Sequence, residues 1–274
     1  MNNGNKPIGL FDSGIGGLTV AREIMKLLPN ENIVYFGDTA RVPYGSKSPE
    51  VITQYTLEAV NFLLSQDVKL IVLACNTVTA TCLEKLSASL SVPVIGVIEP
   101  GARAAVNATK NNRVGVIGTE RTVQSRAYEK AINALNDKIS VHSKACPLFV
   151  SLVEEGWLEN EAAYHTAKIY LEPLKEQGID ALVLGCTHFP HLKTVIGKVM
   201  GEGVELVDPA EETAKEVLQI LSEKNLLRQE ETPATYRYFV SSNPEKFARV
   251  GASFLNRPIE PISVIDPQQF KDKV

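Results

Sequence analysis

Two stretches of the chain share one pattern: Leu70–Thr77 reads LIVLACNT, and Ala181–His188 reads ALVLGCTH. Each is a short apolar run, typical of a buried parallel strand, that ends in a cysteine followed by small polar residues. Open α/β sheets bind ligands at the carboxyl ends of their strands, so each cysteine is predicted to lie at a ligand-binding edge. Two thiols in matched settings suggest that a proton is removed from one face of a substrate and returned to the other.

Further apolar runs alternate with helical patterns, which predicts an α/β fold with doubly wound, mainly parallel sheets. Ser48 and Pro49 form a helix start signal, with serine as the N-cap, and Asn243 and Pro244 repeat it. The predicted strands are Ile8–Phe11, Ile33–Phe36, Leu70–Ala74, Val94–Val97, Val114–Ile117, Ala181–Leu184, Glu205–Val207 and Thr235–Val240.

The opening segment Ile8–Gly14 (IGLFDSG) has a fainter echo in Val114–Glu120 (VGVIGTE), again ahead of a strand that ends in cysteine. This approximate duplication predicts two lobes related by a pseudo-twofold axis, with the active site in the cleft between them. The last strand and helix have no counterpart in the second copy and are assigned to the first lobe. The first lobe is predicted to comprise residues 1–97 and 211–274, and the second to comprise residues 98–210.

The composition is typical of a soluble globular protein, with 44% hydrophobic and 22% charged residues. A net charge of −4 without a long basic run argues against nucleic acid as a partner. Without a secretory signal or a membrane-spanning apolar stretch, the sequence predicts a cytoplasmic protein that does not contact the membrane. The four cysteines form no C-x-x-C pair and are expected to be free thiols, of which Cys82 and Cys146 are predicted to serve only in packing.

Cys75 and Cys186 are the candidate catalytic thiols. The residues that follow them, Asn76-Thr77 and Thr187-His188, are predicted to open helices. A helix N-terminus stabilises a thiolate through its exposed N–H groups and its dipole. The alternative for both cysteines is a buried structural role, which is common for this residue type.

Two loops at predicted strand ends are rich in polar residues and turn formers. Asp12 precedes Ser13–Gly17 (SGIGG), a turn that suits a carboxylate or phosphate but lacks the third glycine of the dinucleotide fingerprint. Asp12 is alternatively only a helix N-cap. In the second loop, Gly37–Gly45 (GDTARVPYG), Tyr44 and Gly45 offer a hydroxyl and a backbone donor, or alternatively only a turn with a packed ring.

His188 follows Cys186 closely enough for its imidazole to poise the thiol or to hold a substrate carboxylate. With His191 the two residues mimic a zinc-ligand spacing, but the chain has no second Cys/His cluster at a recognised spacing, so no metal site is predicted. From the residues alone, Glu154 and Glu155 are interpreted as a solvated helix end.

Four motifs in order make the chain resemble the glutamate racemases, cofactor-independent members of the aspartate/glutamate racemase superfamily. They are Gly9–Gly17 (GLFDSGIGG), Asp38–Gly45 (DTARVPYG), Ala74–Thr77 (ACNT) and Leu184–Pro190 (LGCTHFP), and the resemblance covers nearly the whole chain. It implies an isomerase that interconverts L- and D-glutamate with two acid/base thiols and no cofactor. The D-enantiomer would supply bacterial peptidoglycan synthesis, and with it cell wall biogenesis and cell shape.

The resemblance also implies roles for individual residues. Cys75 is expected to act on the D-enantiomer with the assistance of Asp12, and Cys186 on the L-enantiomer with the assistance of His188. Asp38 and Glu154 resemble acidic positions near the family's site. The expected substrate contacts are Asp12, Ser13, Tyr44, Gly45, Asn76, Thr77, Thr119, Thr187 and His188.

Two alternative classes of function remain at this point. An aspartate racemase, a hydantoin racemase or a decarboxylase of substituted malonates would share the fold and the thiol chemistry. A non-catalytic two-lobed ligand-binding or regulatory protein would contain the cysteines as structural residues. For partners, the resemblance implies glutamate as the small-molecule substrate and a homodimer, with DNA gyrase as a remote alternative.

Overall fold

The computed structural model describes residues 3–271 and contains two compact units, each with its own parallel sheet. One unit runs up to Val97 and resumes at Thr213, and the other is Ile98–Glu212. Both are α/β lobes, as the alternation of apolar runs and helical patterns predicts. Within the described range, no helix is both long and apolar enough to cross a membrane.

The first lobe is built on a six-stranded sheet whose paired strands are all parallel. Across the sheet its strands are β10 (Ile262–Val264), β9 (Tyr236–Val240), β2 (Ile33–Gly37), β1 (Ile8–Asp12), β3 (Leu70–Leu73) and β4 (Val94–Gly96). Its helices are α1 (Leu18–Leu27), α2 (Pro49–Ser65), α3 (Asn76–Ser89) and α11 (Pro244–Leu255), and α10 (Pro209–Glu223) contains the point at which the chain returns to this lobe.

The second lobe has a four-stranded parallel sheet. Across the sheet its strands are β6 (Ser140–Ala145), β5 (Arg113–Gly118), β7 (Ala181–Gly185) and β8 (Glu205–Val207). Its helices are α4 (Ile98–Ala108), α5 (Glu120–Ser125), α6 (Ala127–Leu135), α7 (Leu148–Glu154), α8 (Glu161–Glu176) and α9 (Lys193–Met200), with a 3₁₀ turn at Phe189–Leu192.

The two sheets repeat one topology. The order β2-β1-β3-β4 in the first lobe corresponds to β6-β5-β7-β8 in the second, so the first strand of each copy is central and the third carries a cysteine at its end. This supports the internal duplication that the sequence suggests. The late strand β9 pairs with β2 from Ile33↔Tyr236 to Gly37↔Val240 and so extends the sheet of the first lobe.

The structure contains two strands that the sequence analysis did not predict, and the two predicted helix start signals have different outcomes. β6 and β10 were not predicted, because both are largely exposed and lack the apolar runs of buried strands. α11 begins at Pro244 as expected, but Asn243 has a φ of 50° and makes no side-chain cap hydrogen bond. Ser48 does cap α2, since its hydroxyl accepts from the Val51 N–H.

Lys69, directly before β3, forms a buried ion pair with Glu31; their side chains are only 1% and 3% exposed. The Lys69 ammonium also donates to the carbonyl of Gly4 at 2.6 Å and to that of Leu226 at 2.7 Å. Burial lowers the pKa of Lys69, and Glu31 opposes this shift. The Glu31 carboxylate accepts the Arg228 N–H at 2.8 Å, so the pair anchors β3 to the segment that follows α10.

Replacing Lys69 with alanine should destabilise the first lobe by about 3–5 kcal/mol, because the Glu31 charge would remain buried without its cation. Lys26→Ala is the matched control: its partner Glu23 lies 3.4 Å away, but the Lys26 side chain is 76% exposed. That change should shift stability by no more than about 0.5 kcal/mol. Denaturant unfolding followed by circular dichroism measures both, and equal midpoints for the two variants would contradict the expectation.

Candidate active site

Cys75 lies at the N-cap of α3, a helix of 14 residues, and is 6% exposed. Its carbonyl accepts the Thr79 N–H at 2.9 Å, the first hydrogen bond of the helix. The N–H groups and the positive end of the helix dipole therefore lie beside the thiol, which favours the thiolate. The sequence-based prediction for the setting of Cys75 is confirmed.

Strand pairing brings the polar side chain of Ser13 to this thiol. β1 and β3 pair in parallel up to Phe11↔Leu73, so the residues that follow the two strands remain side by side. The Ser13 Oγ lies 3.5 Å from the Cys75 Sγ, and either atom can donate. A serine hydroxyl at this position stabilises a thiolate by donating to it.

Asp12 is fully buried and shapes the turn that carries Ser13. Its Oδ1 accepts the Gly14 N–H at 2.8 Å. α1 begins at Leu18 with Gly17 as its N-cap residue, so the alternative interpretation of Asp12 as the helix cap is wrong. The buried carboxylate instead belongs to the turn beside Cys75.

Asp38 organises the second loop of this lobe and is also fully buried. Its Oδ2 accepts from the Arg41 Nε at 2.6 Å and from the Tyr44 hydroxyl, and its Oδ1 accepts from the Ser241 Oγ at 2.7 Å. Burial raises the pKa of Tyr44, and the Asp38 charge raises it further. The Tyr44 ring is 1% exposed, so its hydroxyl is engaged in holding the loop.

Cys186 follows β7 and is 7% exposed, but it does not open an α-helix. A 3₁₀ turn at Phe189–Leu192 comes next, and α9 begins only at Lys193. Pro190 explains the difference: it lies four residues after Cys186, where an α-helix would need an N–H to donate to the Cys186 carbonyl, and proline has none. The Phe189 N–H donates to that carbonyl instead, at 3.0 Å. The expectation that Cys186 shares the helical setting of Cys75 is wrong.

His188 and Glu154 form a polar series with Cys186. The His188 Nδ1 lies 3.9 Å from the Cys186 Sγ, and the Nε2 lies 3.4 Å from Glu154 Oε1. The His188 and Glu154 side chains are only 4% and 15% exposed, so Glu154 is not the solvated helix end that its sequence suggests. Among residues 3–271, no three His, Cys, Asp or Glu side chains are grouped as metal ligands.

Thr119 occupies the position in the second lobe that Ser13 occupies in the first. β5 and β7 pair up to Gly118↔Gly185, so Thr119 and Cys186 both follow the last pair. The Thr119 hydroxyl caps α5 by accepting the Thr122 N–H at 3.3 Å. Each cysteine thus has a hydroxyl-bearing residue at the end of the neighbouring central strand.

Two buried tyrosines near the thiols were not predicted from the sequence. The first, Tyr35, lies within β2. Tyr128 lies in α6 and is 2% exposed; a Cβ on Gly185 would approach its ring to 3.0 Å. Burial raises the pKa of Tyr128, and the charges of Asp208 and Cys186 raise it further. Both tyrosines sit in apolar patterns, where nothing in the sequence distinguishes a site neighbour from a core ring.

Cys82 and Cys146 behave as packing residues, 3% and 0% exposed. Burial raises the pKa of both thiols. The Cys82 Sγ lies 3.8 Å from Thr53 Oγ1, and the Cys146 Sγ lies 3.7 Å from the Lys144 carbonyl oxygen. Cys82 and Cys146, which the sequence predicts to be packing residues, are therefore neutral thiols. They are suitable controls for substitutions of Cys75 and Cys186.

Similarity to known proteins identifies the family. The model of the Asp/Glu/Hydantoin racemase family matches residues 16–217. A glutamate racemase of Geobacter metallireducens is 58% identical over 250 residues, which are 91% of this chain and 93% of that protein. The chain belongs to the Asp/Glu/hydantoin racemase family.

Solved racemases match this racemase-family chain over almost its full length. The glutamate racemase isoform RacE1 of Bacillus anthracis has a TM-score of 0.92 and 42% identity, covering 95% of this chain and 97% of that one. The glutamate racemase of Francisella tularensis, solved in complex with D-glutamate, has a TM-score of 0.91 and 40% identity, covering 97% and 99%. The parallel sheets described above are therefore those of a racemase fold.

Gly17, the last residue of the turn that follows Asp12, has no room for a side chain. A Cβ there would lie 2.5 Å from the Asp12 Cβ and 3.0 Å from the Ala74 Cβ, both fixed by the main chain. Gly17→Ala should therefore destabilise the protein by about 1–3 kcal/mol through overpacking. Thermal unfolding measures the change. Gly203→Ala is the control, because a Cβ at Gly203 meets nothing within 4 Å and should cost little stability. An equally small loss in Gly17→Ala would show that the turn after Asp12 tolerates a side chain.

Proposed function

We propose that this chain interconverts L- and D-glutamate by transferring the α-proton between Cys75 and Cys186. One observation carries the proposal: each lobe ends a buried strand in a cysteine beside a hydroxyl-bearing residue, in a chain 58% identical to a glutamate racemase. The D-glutamate complex of the Francisella tularensis relative supports glutamate as the small-molecule substrate.

The reaction needs one cysteine as a thiolate and the other as a thiol. The thiolate takes the α-proton and leaves a carbanion stabilised by the substrate carboxylate. The opposite thiol then delivers its proton to the other face of the same carbon and becomes a thiolate. Atoms and charges balance without an oxidant, a reductant or a cofactor, and the enzyme finishes in the opposite protonation state, ready for the reverse reaction.

Two thiols do not account for the whole rate enhancement. The α-proton of an amino acid is weakly acidic, and one positioned acid or base contributes typically ~10²–10⁴-fold. The remainder must come from donors placed where charge develops, on the α-carboxylate. The N-terminus of α3 suits that role, because helix N-termini bind carboxylates. We assign these contacts to Ser13, Asn76, Thr77 and Thr187.

The remaining roles in this proposal follow from the neighbours of each thiol. Cys75, assisted by Asp12, acts on D-glutamate. Cys186 acts on L-glutamate and is assisted by His188, which Glu154 orients. Asp38 positions the loop of Tyr44 and Gly45 for substrate, and Thr119 lies at the second thiol.

The proposed biological role is to supply D-glutamate. A cytoplasmic homodimer would provide D-glutamate for peptidoglycan synthesis. The support for the supply role is the membership of the racemase family and the identity to glutamate racemases.

The direct test is to incubate the purified protein with each glutamate enantiomer in D₂O without added cofactor. Deuterium should replace the α-proton in the NMR spectrum while optical rotation, followed by circular dichroism, decays to zero. Exchange with aspartate instead of glutamate would assign another substrate within the family. Binding of glutamate without exchange, by folded and reduced protein, would reject racemisation.

Cys75→Ser and Cys186→Ser should each lower racemisation in both directions by at least about 10²-fold, because a hydroxyl is a far poorer acid/base group than a thiol. Cys82→Ser is the control and should retain turnover, since its thiol is buried and neutral. Circular dichroism measures both the rate and the integrity of the fold. Turnover at the wild-type rate in either of the first two variants would refute the two-thiol mechanism.

A further inference from the structure

Tyr35 is fully buried in β2 and bridges the two ends of the Gly14–Gly17 turn. Its hydroxyl donates to the Gly14 carbonyl at 2.9 Å. Burial, with the charges of Asp12 and Cys75 adding to it, raises the pKa of Tyr35 far above its usual value, while the Gly17 N–H hydrogen-bonds the phenol oxygen and acts in the opposite direction. The phenol is therefore neutral and donates at all physiological pH values.

Packing fixes the direction of this hydroxyl. The Tyr35 ring lies 5.8 Å from the Phe247 ring and 6.5 Å from the Tyr238 ring, between centroids. A Cβ on Gly37 would lie 2.4 Å from the Gly14 oxygen and 3.2 Å from the Tyr35 Cε1. The turn thus packs directly against the end of β2, where the absence of a side chain at Gly37 lets the Gly14 carbonyl approach.

The two polar groups of Gly14 are both engaged by buried side chains. Its N–H donates to Asp12 Oδ1 at 2.8 Å, and its carbonyl accepts from Tyr35. Ser13, the residue between Asp12 and Gly14, places its Oγ 3.5 Å from the Cys75 Sγ. A change at the Tyr35 hydroxyl is consequently transmitted to the group that faces the thiol.

We propose that Tyr35 is a positioning residue for Cys75, which acts by holding the Gly14 carbonyl so that Ser13 faces the thiol. This inference rests on the proposed two-thiol racemisation for its importance to turnover. Tyr35 acts through the Gly14 main chain, and its own hydroxyl does not reach the reacting atoms.

Tyr238 provides a matched comparison within the same cluster of rings. It lies in β9, two strands from β1, and is 2% exposed. Its hydroxyl is buried without a hydrogen-bond partner among the described residues. Tyr238 therefore shares the ring packing of Tyr35 but has no hydrogen bond to the turn, so removal of its hydroxyl tests the effect of packing alone.

The experiment compares Tyr35→Phe with Tyr238→Phe in two measurements. The first is kcat and KM for each glutamate enantiomer. The second is the rate of iodoacetamide alkylation of Cys75 and of Cys186 as a function of pH, resolved by peptide mass spectrometry. Circular dichroism establishes that each variant is folded at the assay temperature.

Tyr35→Phe should lower kcat about 10- to 100-fold, the effect of a misplaced reacting group. It should also slow Cys75 alkylation at neutral pH about 2- to 10-fold, the range expected for one hydrogen bond to the thiolate. Cys186 alkylation should match the wild type, and Tyr238→Phe should leave all of these rates unchanged. A purely structural tyrosine would not alter one thiol selectively.

Wild-type kinetics in Tyr35→Phe, an equal change at both thiols, or an equal loss in Tyr238→Phe would each overturn the inference. The alkylation measurement needs no turnover, so it tests Tyr35 even if the wild-type protein fails to racemise glutamate. If Tyr35→Phe does not fold, Ser13→Ala provides the second test. It leaves both hydrogen bonds of Gly14 in place, and normal Cys75 alkylation in that variant would remove the link on which the inference depends.

Discussion

The parallel register between the central strand and the cysteine strand of each lobe is the constraint on which both thiol sites depend. Phe11↔Leu73 in one lobe and Gly118↔Gly185 in the other bring each cysteine level with a hydroxyl-bearing residue. A slip of one residue would turn every side chain of a strand to the opposite face of its sheet. Because these strands are buried on both faces, packing holds the register firmly.

Buried charge explains why the loops around Cys75 are so closely tied. Asp12 and Asp38 are fully buried, and a buried carboxylate is stable only when donors surround it. Gly14 supplies a main-chain donor to one, and Arg41, Tyr44 and Ser241 supply side-chain donors to the other. The same hydrogen bonds that satisfy these carboxylates also preorganise the loops, which is the property that electrostatic catalysis requires.

Local sequence predicts what depends on local structure. Features that follow from a few adjacent residues can be predicted in this way. They include the strand-end cysteines, the polar turn after β1 and the capping role of Ser48. Long-range pairing is not readable in this way: Ser241 reaches Asp38 only because β9 pairs with β2, and Glu154 faces His188 only after α7 has packed. The role of Tyr35 cannot be predicted for another reason. A tyrosine in a buried strand has the sequence context of a core residue, whether or not its hydroxyl hydrogen-bonds a turn.

The two thiols are supported by different kinds of chemistry, despite the repeated topology of their lobes. Cys75 sits on the N-terminus of α3, whose N–H groups belong to the main chain, whereas Cys186 has the side chains of His188 and Glu154 as neighbours. A main-chain dipole remains after nearly any substitution. An interaction between side chains is lost when one of the residues is replaced. Substitution of one side chain, that of His188, would therefore remove a polar neighbour of Cys186, whereas Cys75 would keep the N-terminus of α3.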